Sequence, residues 1–291
     1  MAIQYSGGTI VNTTFVSDGT RRQLVDQLAA ALATAGWSYV SGSGTADVLM
    51  KTAVTPQGLS VRFRLYDSGA GNCAQFTMKN NAGTLTSAIA YMLPTAGRTF
   101  RIWANQYWFA MFASGAVYRS SPRNIMLGGT ISGVPANILA SLGADLDVGW
   151  FNWSGDTDTS VAFNFTFRDR LSSWGGTSNS TYSASIWKSF LLNYSNYANS
   201  FPQFPMLVWY ANGTFCPNWD DGTVVQIDAR IGWSATASIN GTFRYKGFLS
   251  DAFVLGSMMN GESDLITFDG HTWMPITDQS ASLATLYVMV S

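Results

Sequence analysis

The chain has 291 residues and a formal charge of −1, from 16 basic and 17 acidic side chains, with only 11% charged residues and 14% aromatic ones. Thinly spread Lys and Arg argue against nucleic acid as the main partner, because neutralising a phosphate backbone needs clustered cations. So few charges beside so many aromatics fit either a β-rich chain with many turns or a surface covered in part by other subunits, since interfaces deplete Lys, Glu and Asp and enrich Trp, Tyr, Phe and Met.

Residues Met1 to Asp18 read as an extended arm or first strand, anchored by Thr9-Ile10-Val11 and Phe15-Val16. Met1 leads into Ala2-Ile3-Gln4-Tyr5-Ser6-Gly7-Gly8 with neither a basic nor an apolar leader region. The expectation is therefore a product made and kept, or assembled, in a cytoplasm. The apolar runs Tyr107–Ala113 and Met206–Ala211 are too short to span a bilayer as helices.

Thr20-Arg21-Arg22-Gln23 has the form of a capping box, with a hydroxyl at the N-cap and Gln at the third helical position. Leu24, Leu28, Ala31, Leu32 and Ala35 then form a stripe at helical spacing. Gly36 supplies a left-handed stop, and Trp37 stands where a Schellman motif places its apolar contact. The period changes next. Val48, Met50, Thr52 and Val54 alternate with their neighbours, as do Leu59, Val61, Phe63 and Leu65 against Ser60, Arg62, Arg64 and Tyr66. The pattern predicts a helix lying on an antiparallel sheet whose other face is wet or meets a partner.

Ala74, Phe76 and Met78 mark a third strand, and Thr84 to Met92 a short second helix. The first unit, 1–95, is thus expected to be a helix-on-sheet α+β unit with an N-terminal arm. From Arg98 the pattern is almost wholly β. Thr99–Ala104 and Tyr107–Ala113 flank Asn105-Gln106 as a hairpin, and the second of these strands is apolar on both faces, so it should be covered on both. Ser121–Gly133 reads as a loop, Pro135–Leu142 as a short helix, and Val161–Phe167 as an alternating strand. Trp174–Tyr182 reads as a long exposed loop.

Further strands are predicted at Met206–Ala211, Val224–Ile231, Phe253–Ser257, Leu265–Phe268, Thr272–Ile276 and Thr285–Val290. Asn-Gly and Asp-Gly pairs between them, such as Asp269-Gly270, supply the positive φ of tight hairpins. Residues 96–291 are accordingly expected to form a β-rich, sandwich- or barrel-like domain, and the whole chain to be mainly β.

Motifs for chemistry are sparse. His271 is the sole histidine, and it follows a turn and opens a strand, so it is read as a turn-flanking polar residue. No nucleophile elbow, phosphate loop or zinc-protease motif occurs. Cys73 and Cys216 with one His cannot build a structural zinc site. Asp156/Asp158 and Asp220/Asp221 are the carboxylate pairs that a glycosidase or a weak calcium site would use, but the first lacks the glycine of an EF-hand loop and the second reads as a turn. Neither cofactor nor metal is expected. Trp209, Trp219 and Asp220, with Trp150 and Trp153, could contact sugar rings or a protein partner, against the simpler reading that they pack a core. Tyr287 and Met289, on the last strand, are candidates for a subunit interface, with the Met1 to Asp18 arm also expected to meet other chains.

Read together, the ends resemble a virion structural protein of tailed bacteriophages, of the tail-tip or baseplate kind. At the front the likeness lies in Arg22-Gln23-Leu24-Val25 through Ala35-Gly36-Trp37 and in Gly58-Leu59-Ser60-Val61-Arg62-Phe63, with Arg101 to Phe112 adding to it. At the back it lies in Lys246-Gly247-Phe248-Leu249-Ser250-Asp251-Ala252-Phe253-Val254, Phe268-Asp269-Gly270-His271-Thr272-Trp273 and Ala284-Thr285-Leu286-Tyr287-Val288. The resemblance implies a non-enzymatic tail component in the virion, partnered by other tail proteins and copies of itself, without nucleic acid or membrane insertion. A receptor- or carbohydrate-binding module that meets a host surface glycan is the first rival, and a polysaccharide-degrading tail enzyme the second.

Overall fold

The computed structural model describes residues 5–67, 72–79, 90–113, 125–130, 132–133, 136, 139, 149–154, 162–166, 205–207, 225–234, 243–256, 265–276 and 285–291. For 125, 150–154, 162–166, 205–207, 225–234, 243–249, 252–256, 275–276 and 285–287, only the backbone is described. The chain is mainly β, with several antiparallel sheets and one helix described along its length, α1 (Arg21–Thr34).

Sheet I runs in the order β1 (Val11–Val16), β7 (Thr99–Ala104), β8 (Trp108–Ala113), β9 (Ile125–Thr130), β10 (Gly149–Ser154), β11 (Ala162–Thr166). Sheet II runs β2 (Ser38–Ser41), β3 (Asp47–Lys51), β4 (Arg62–Tyr66), β5 (Ala74–Lys79), β6 (Ala90–Met92). Sheet III runs β12 (Pro205–Leu207), β13 (Val225–Ser234), β14 (Phe243–Gly256), β17 (Thr285–Met289), β16 (His271–Ile276), β15 (Ile266–Phe268).

The helix begins and ends by side-chain and backbone chemistry legible in its sequence. Thr20 is the N-cap, and its hydroxyl accepts from the Gln23 N–H at 3.2 Å. The reciprocal half of the expected box is different. Asp18 takes the Thr20 N–H, while Gln23 reaches further back, accepting from the Asp18 N–H and donating to the Val16 carbonyl. At the other end Gly36 has φ 99°, its N–H bonds to the Ala33 carbonyl, and the Trp37 N–H bonds to the Leu32 carbonyl. That pair of bonds is the Schellman closure.

Leu24, Leu28 and Leu32 are fully buried in one cluster with Val61, Phe63 and Phe76 of the second sheet. The same cluster takes in Phe100, Ile102, Phe109, Met111 and Met126 from sheet I. Trp37 fills the gap below the helix end. Its ring lies tilted against Phe63 at 5.7 Å and edge-on to Phe109 at 5.8 Å, and Phe63 and Phe109 meet edge to face at 5.3 Å. Such geometry matches the electron-rich face of one ring to the electron-poor edge of the next. Every residue of β8 is buried, as its two-sided apolar sequence requires.

Four local expectations change. Residues 90–92 of the predicted second helix form strand β6; residues 84–89 lie outside the described residues. The stretch read as a loop over Ser121–Gly133 contains β9. Its glycines are there for space: a Cβ on Gly128 would stand 2.6 Å from Phe63 Cζ, and one on Gly129 would stand 2.4 Å from the Tyr107 carbonyl oxygen. The alternation through Val54 stops early, because β3 ends at Lys51 and Thr55 and Gly58 close a turn; Val54 is exposed. The outer face of sheet II is not simply wet, since Ser60, Tyr66, Gln75 and Thr77 are buried on it.

The hairpin at Asp269-Gly270 forms as expected, with φ of 51° and 75° at its two central residues. β17, expected to need cover for its edges, lies between β14 and β16 and is paired on both sides. Ala136 and Leu139, within the predicted helix Pro135–Leu142, have helical backbone. The loop predicted at Trp174–Tyr182 lies outside the described residues.

Candidate functional site

Asn105 sits at the turn between β7 and β8, fully buried, and every polar group of its side chain is engaged. Its Oδ1 accepts from the Tyr107 and Trp108 N–H groups at 2.8 and 3.0 Å, an Asx-type closure of the turn. Its carbonyl accepts the Trp37 indole N–H at 2.8 Å, tying the turn to the end of α1. The Nδ2 group donates to Ser6 Oγ and to Asp251 Oδ2, each at 2.9 Å.

Asp251 lies within β14 and is also fully buried, at φ 55°, a conformation uncommon outside glycine. Its Oδ1 accepts the Ser6 N–H at 2.8 Å, and its Oδ2 accepts the Trp108 indole N–H at 2.8 Å as well as the Asn105 amide. Next to it in the chain, Ser250 Oγ lies 2.7 Å from Ser132 Oγ. A buried carboxylate is costly unless it is hydrogen-bonded, and three donors converge on this one. The cluster joins the N-terminal arm, the β7–β8 turn and β14, and it ties sheet I to sheet III.

The arm continues outward to a second group. The Tyr5 hydroxyl donates to Asp269 Oδ2, and its ring lies 5.0 Å from the His271 ring and 6.3 Å from that of Trp273. Burial, followed by the hydrogen bond to Asp269, pushes the Tyr5 hydroxyl pKa up to about 12. Trp273 is fully buried, and its indole donates to the Phe268 carbonyl, bracing the hairpin. Tyr5 and Phe268 are each 41% exposed, so aromatic edges reach the surface beside a carboxylate.

On the outer face of sheet II, Arg64 forks onto Asp47, with Nε to Oδ1 at 2.8 Å and Nη2 to Oδ2. That contact holds the Asp47 carboxyl below its usual range and raises Arg64. The Arg64 guanidinium also lies 4.4 Å from the centre of the Tyr66 ring, a cation–π contact.

The residues singled out from the sequence fare unequally. Trp209, Trp219 and Asp220 lie outside the described residues, as do Asp221, Asp156 and Asp158. Trp150 and Trp153 are placed by their backbone on β10, where Trp150 pairs with Gly129 and Phe165, and Trp153 with Met126 and Ala162. Tyr287 is placed by its backbone between Phe253 and Pro275. Met289 is 6% exposed and packs on Trp273 of its own chain. His271 opens β16 directly after the turn. Among the described residues no three His, Cys, Asp or Glu side chains gather as a metal site would require, and no helix is long and apolar enough to cross a membrane.

Asp251 and Asn105 were not singled out. A lone acid in the apolar run Phe248–Leu255 was the available signal for the first, and for the second an Asn three residues before an indole whose N–H a buried acid could accept. Compared with models of known protein families and with curated proteins, the sequence matches none.

Proposed function

We propose that this chain is a non-enzymatic structural component of a bacteriophage tail or baseplate, acting through interfaces with other virion tail proteins and with copies of itself. The observation that carries the reading is the outer edge of sheet II. All four residues of β2 are exposed, with Tyr39 at 40% and Val40 at 42%, and among the described strands β2 pairs with β3 alone. An open edge with large apolar side chains invites a neighbour. The register slips between Tyr39 and Ser41, leaving Val40 as the extra residue of a bulge. A bulge spoils the edge as a template for open-ended strand addition, so the side chains, rather than a continued ladder, are what a complementary subunit would engage.

The buried Asp251 cluster supports the same reading, because a building block must hold its sheets in fixed relation. Low charge and abundant aromatics agree with it, as does the resemblance of the two ends. The chain in this account is made in the host cytoplasm and resides in the virion tail. The test is incorporation: Val40→Lys should fold normally, because the site is exposed, and should be under-represented in assembled tails. Equal incorporation of the variant would count against the proposal.

A second reading, a receptor- or glycan-binding module at the tail tip, is favoured by one feature: the exposed rings of Tyr5 and Phe268 beside Asp269 and His271. Loss of host-surface binding in Tyr5→Ala with assembly intact would select this reading over the first.

A further inference from the structure

The outer face of sheet II carries a row of three cations, none of which forms a direct ion pair among the described residues, although Lys79 acts on Asp47 at longer range. In the antiparallel register, Lys51 of β3 stands directly opposite Arg62 of β4, and Arg62 directly opposite Lys79 of β5. Directly opposed residues share a face, so the three side chains leave the same side of the sheet. Strands lie about 4.8 Å apart, which places three cationic side chains along roughly 10 Å. Like charges placed directly opposite each other destabilise a sheet. The acid on this face, Asp47, is held by both nitrogens of the Arg64 fork. The row itself takes part in neither the Asp47–Arg64 pair nor the Arg22–Asp26 pair.

Arg62, the middle member, has its Nε buried and without a hydrogen-bond partner among the described residues. A guanidinium N–H withdrawn from water and left unmatched is unfavourable, and an acceptor placed against it would be worth more than one at the surface. Lys51 and Lys79 are half-buried on either side, with stems long enough to bring both ammonium groups toward the centre. One guanidinium fork flanked by two ammonium groups presents about three positive charges to a single small group. That exceeds what one carboxylate would neutralise and suits a phosphate dianion, whose several oxygens accept from separate donors.

We propose that Lys51, Arg62 and Lys79 form a binding site for a phosphate group. It is independent of the assembly reading above, and the phosphate could belong to a soluble molecule or to a lipid headgroup. The experiment uses the full chain, inorganic phosphate as the probe, low ionic strength and mildly alkaline pH, with titration followed by calorimetry and phosphorus NMR.

Saturable binding is expected, weakened on the order of tenfold or more in Arg62→Gln, the loss of one charge-assisted contact. The Lys51→Gln/Lys79→Gln double variant, altered at the two flanking positions, provides the same test should Arg62→Gln fail to fold. Co-sedimentation with vesicles containing phosphatidic acid, a phosphomonoester that is dianionic at mildly alkaline pH, against phosphatidylcholine vesicles separates the sources. Arg62-dependent retention on the first alone assigns the phosphate to a headgroup, and phosphate binding without retention assigns it to a soluble molecule. No saturable binding at millimolar phosphate, or binding indifferent to all three substitutions, would overturn the proposal.

Discussion

The Trp108 indole donates to the Asp251 carboxylate at 2.8 Å across 143 residues of sequence. Because the Asn105 amide and the Ser6 N–H end on the same carboxylate, removing it takes the acceptor from three donors at once, two buried and one half-buried. Asp251→Ala should therefore cost about 3–5 kcal/mol, the range for breaking a buried charged network by deleting one partner. Chemical denaturation would give the loss, and hydrogen exchange should show the Ser6 amide deprotected along with it. A variant as stable as the parent, with Ser6 still protected, would show that the cluster does not fasten the arm.

The packing between helix and sheets gives a second expectation. Leu28→Ala opens a cavity in a fully buried position and should cost roughly 2–5 kcal/mol. Gly129→Ala acts in the opposite sense, by overfilling: its Cβ would meet the Tyr107 carbonyl and Trp108 Cα at 2.4 and 2.6 Å. Backbone cannot step aside as a side chain can, so this change should cost at least about 1–3 kcal/mol. Gly128→Ala meets a ring instead, and thermal melts should place it as the milder of the two.

Two titrations follow from the named contacts. In the folded chain, burial and then the hydrogen bond to Asp269 raise the Tyr5 pKa from the ordinary 10.0 to about 12. The Tyr5–Asp269 contact thus contributes fully below pH 10.0 and is lost as pH rises toward about 12. Ultraviolet phenolate titration should show one late-ionising tyrosine that disappears in Tyr5→Phe. At the acid end the Asp47 carboxyl is held below 3.8 by Arg64. The stability from this pair is present above that value and is lost as pH falls through the lower folded one. Both side chains are substantially exposed, so the contribution is only a few tenths of a kcal/mol. Arg64→Gln should flatten that shallow acid limb without moving the main transition.

Legibility in the sequence followed the range of the forces. The stripe of Leu24, Leu28 and Leu32, the Gly36 stop and the Asp269-Gly270 turn depend on neighbours within a few residues, and all stand as expected. Gly128 and Gly129 looked like loop residues because glycine is common in turns. Their real constraint is Phe63, Phe109 and Trp108 pressing on the strand from elsewhere in the chain. Residues 90–92 looked helical for want of a strong alternation, and pairing with β5 decided the matter. Asp251 was hidden for the same reason, since its three donors come from residues 6, 105 and 108. Trp209, Trp219 and Asp220, which carried the glycan alternative, lie outside the described residues. The surface aromatic group around Tyr5 became visible only once the arm was placed beside β16.

On the proposed assembly reading, the β2 edge with its exposed Tyr39 and Val40 meets other chains. The most direct measurement is a reconstruction of an assembled tail containing this chain, with the buried area on each face recorded. The account predicts Tyr39 and Val40 covered by a neighbouring subunit and a total interface above about 2,000 Å², the range of obligate complexes. A chain exposed over most of its surface, touching neighbours only through small polar patches and with Tyr39 and Val40 in solvent, would contradict it.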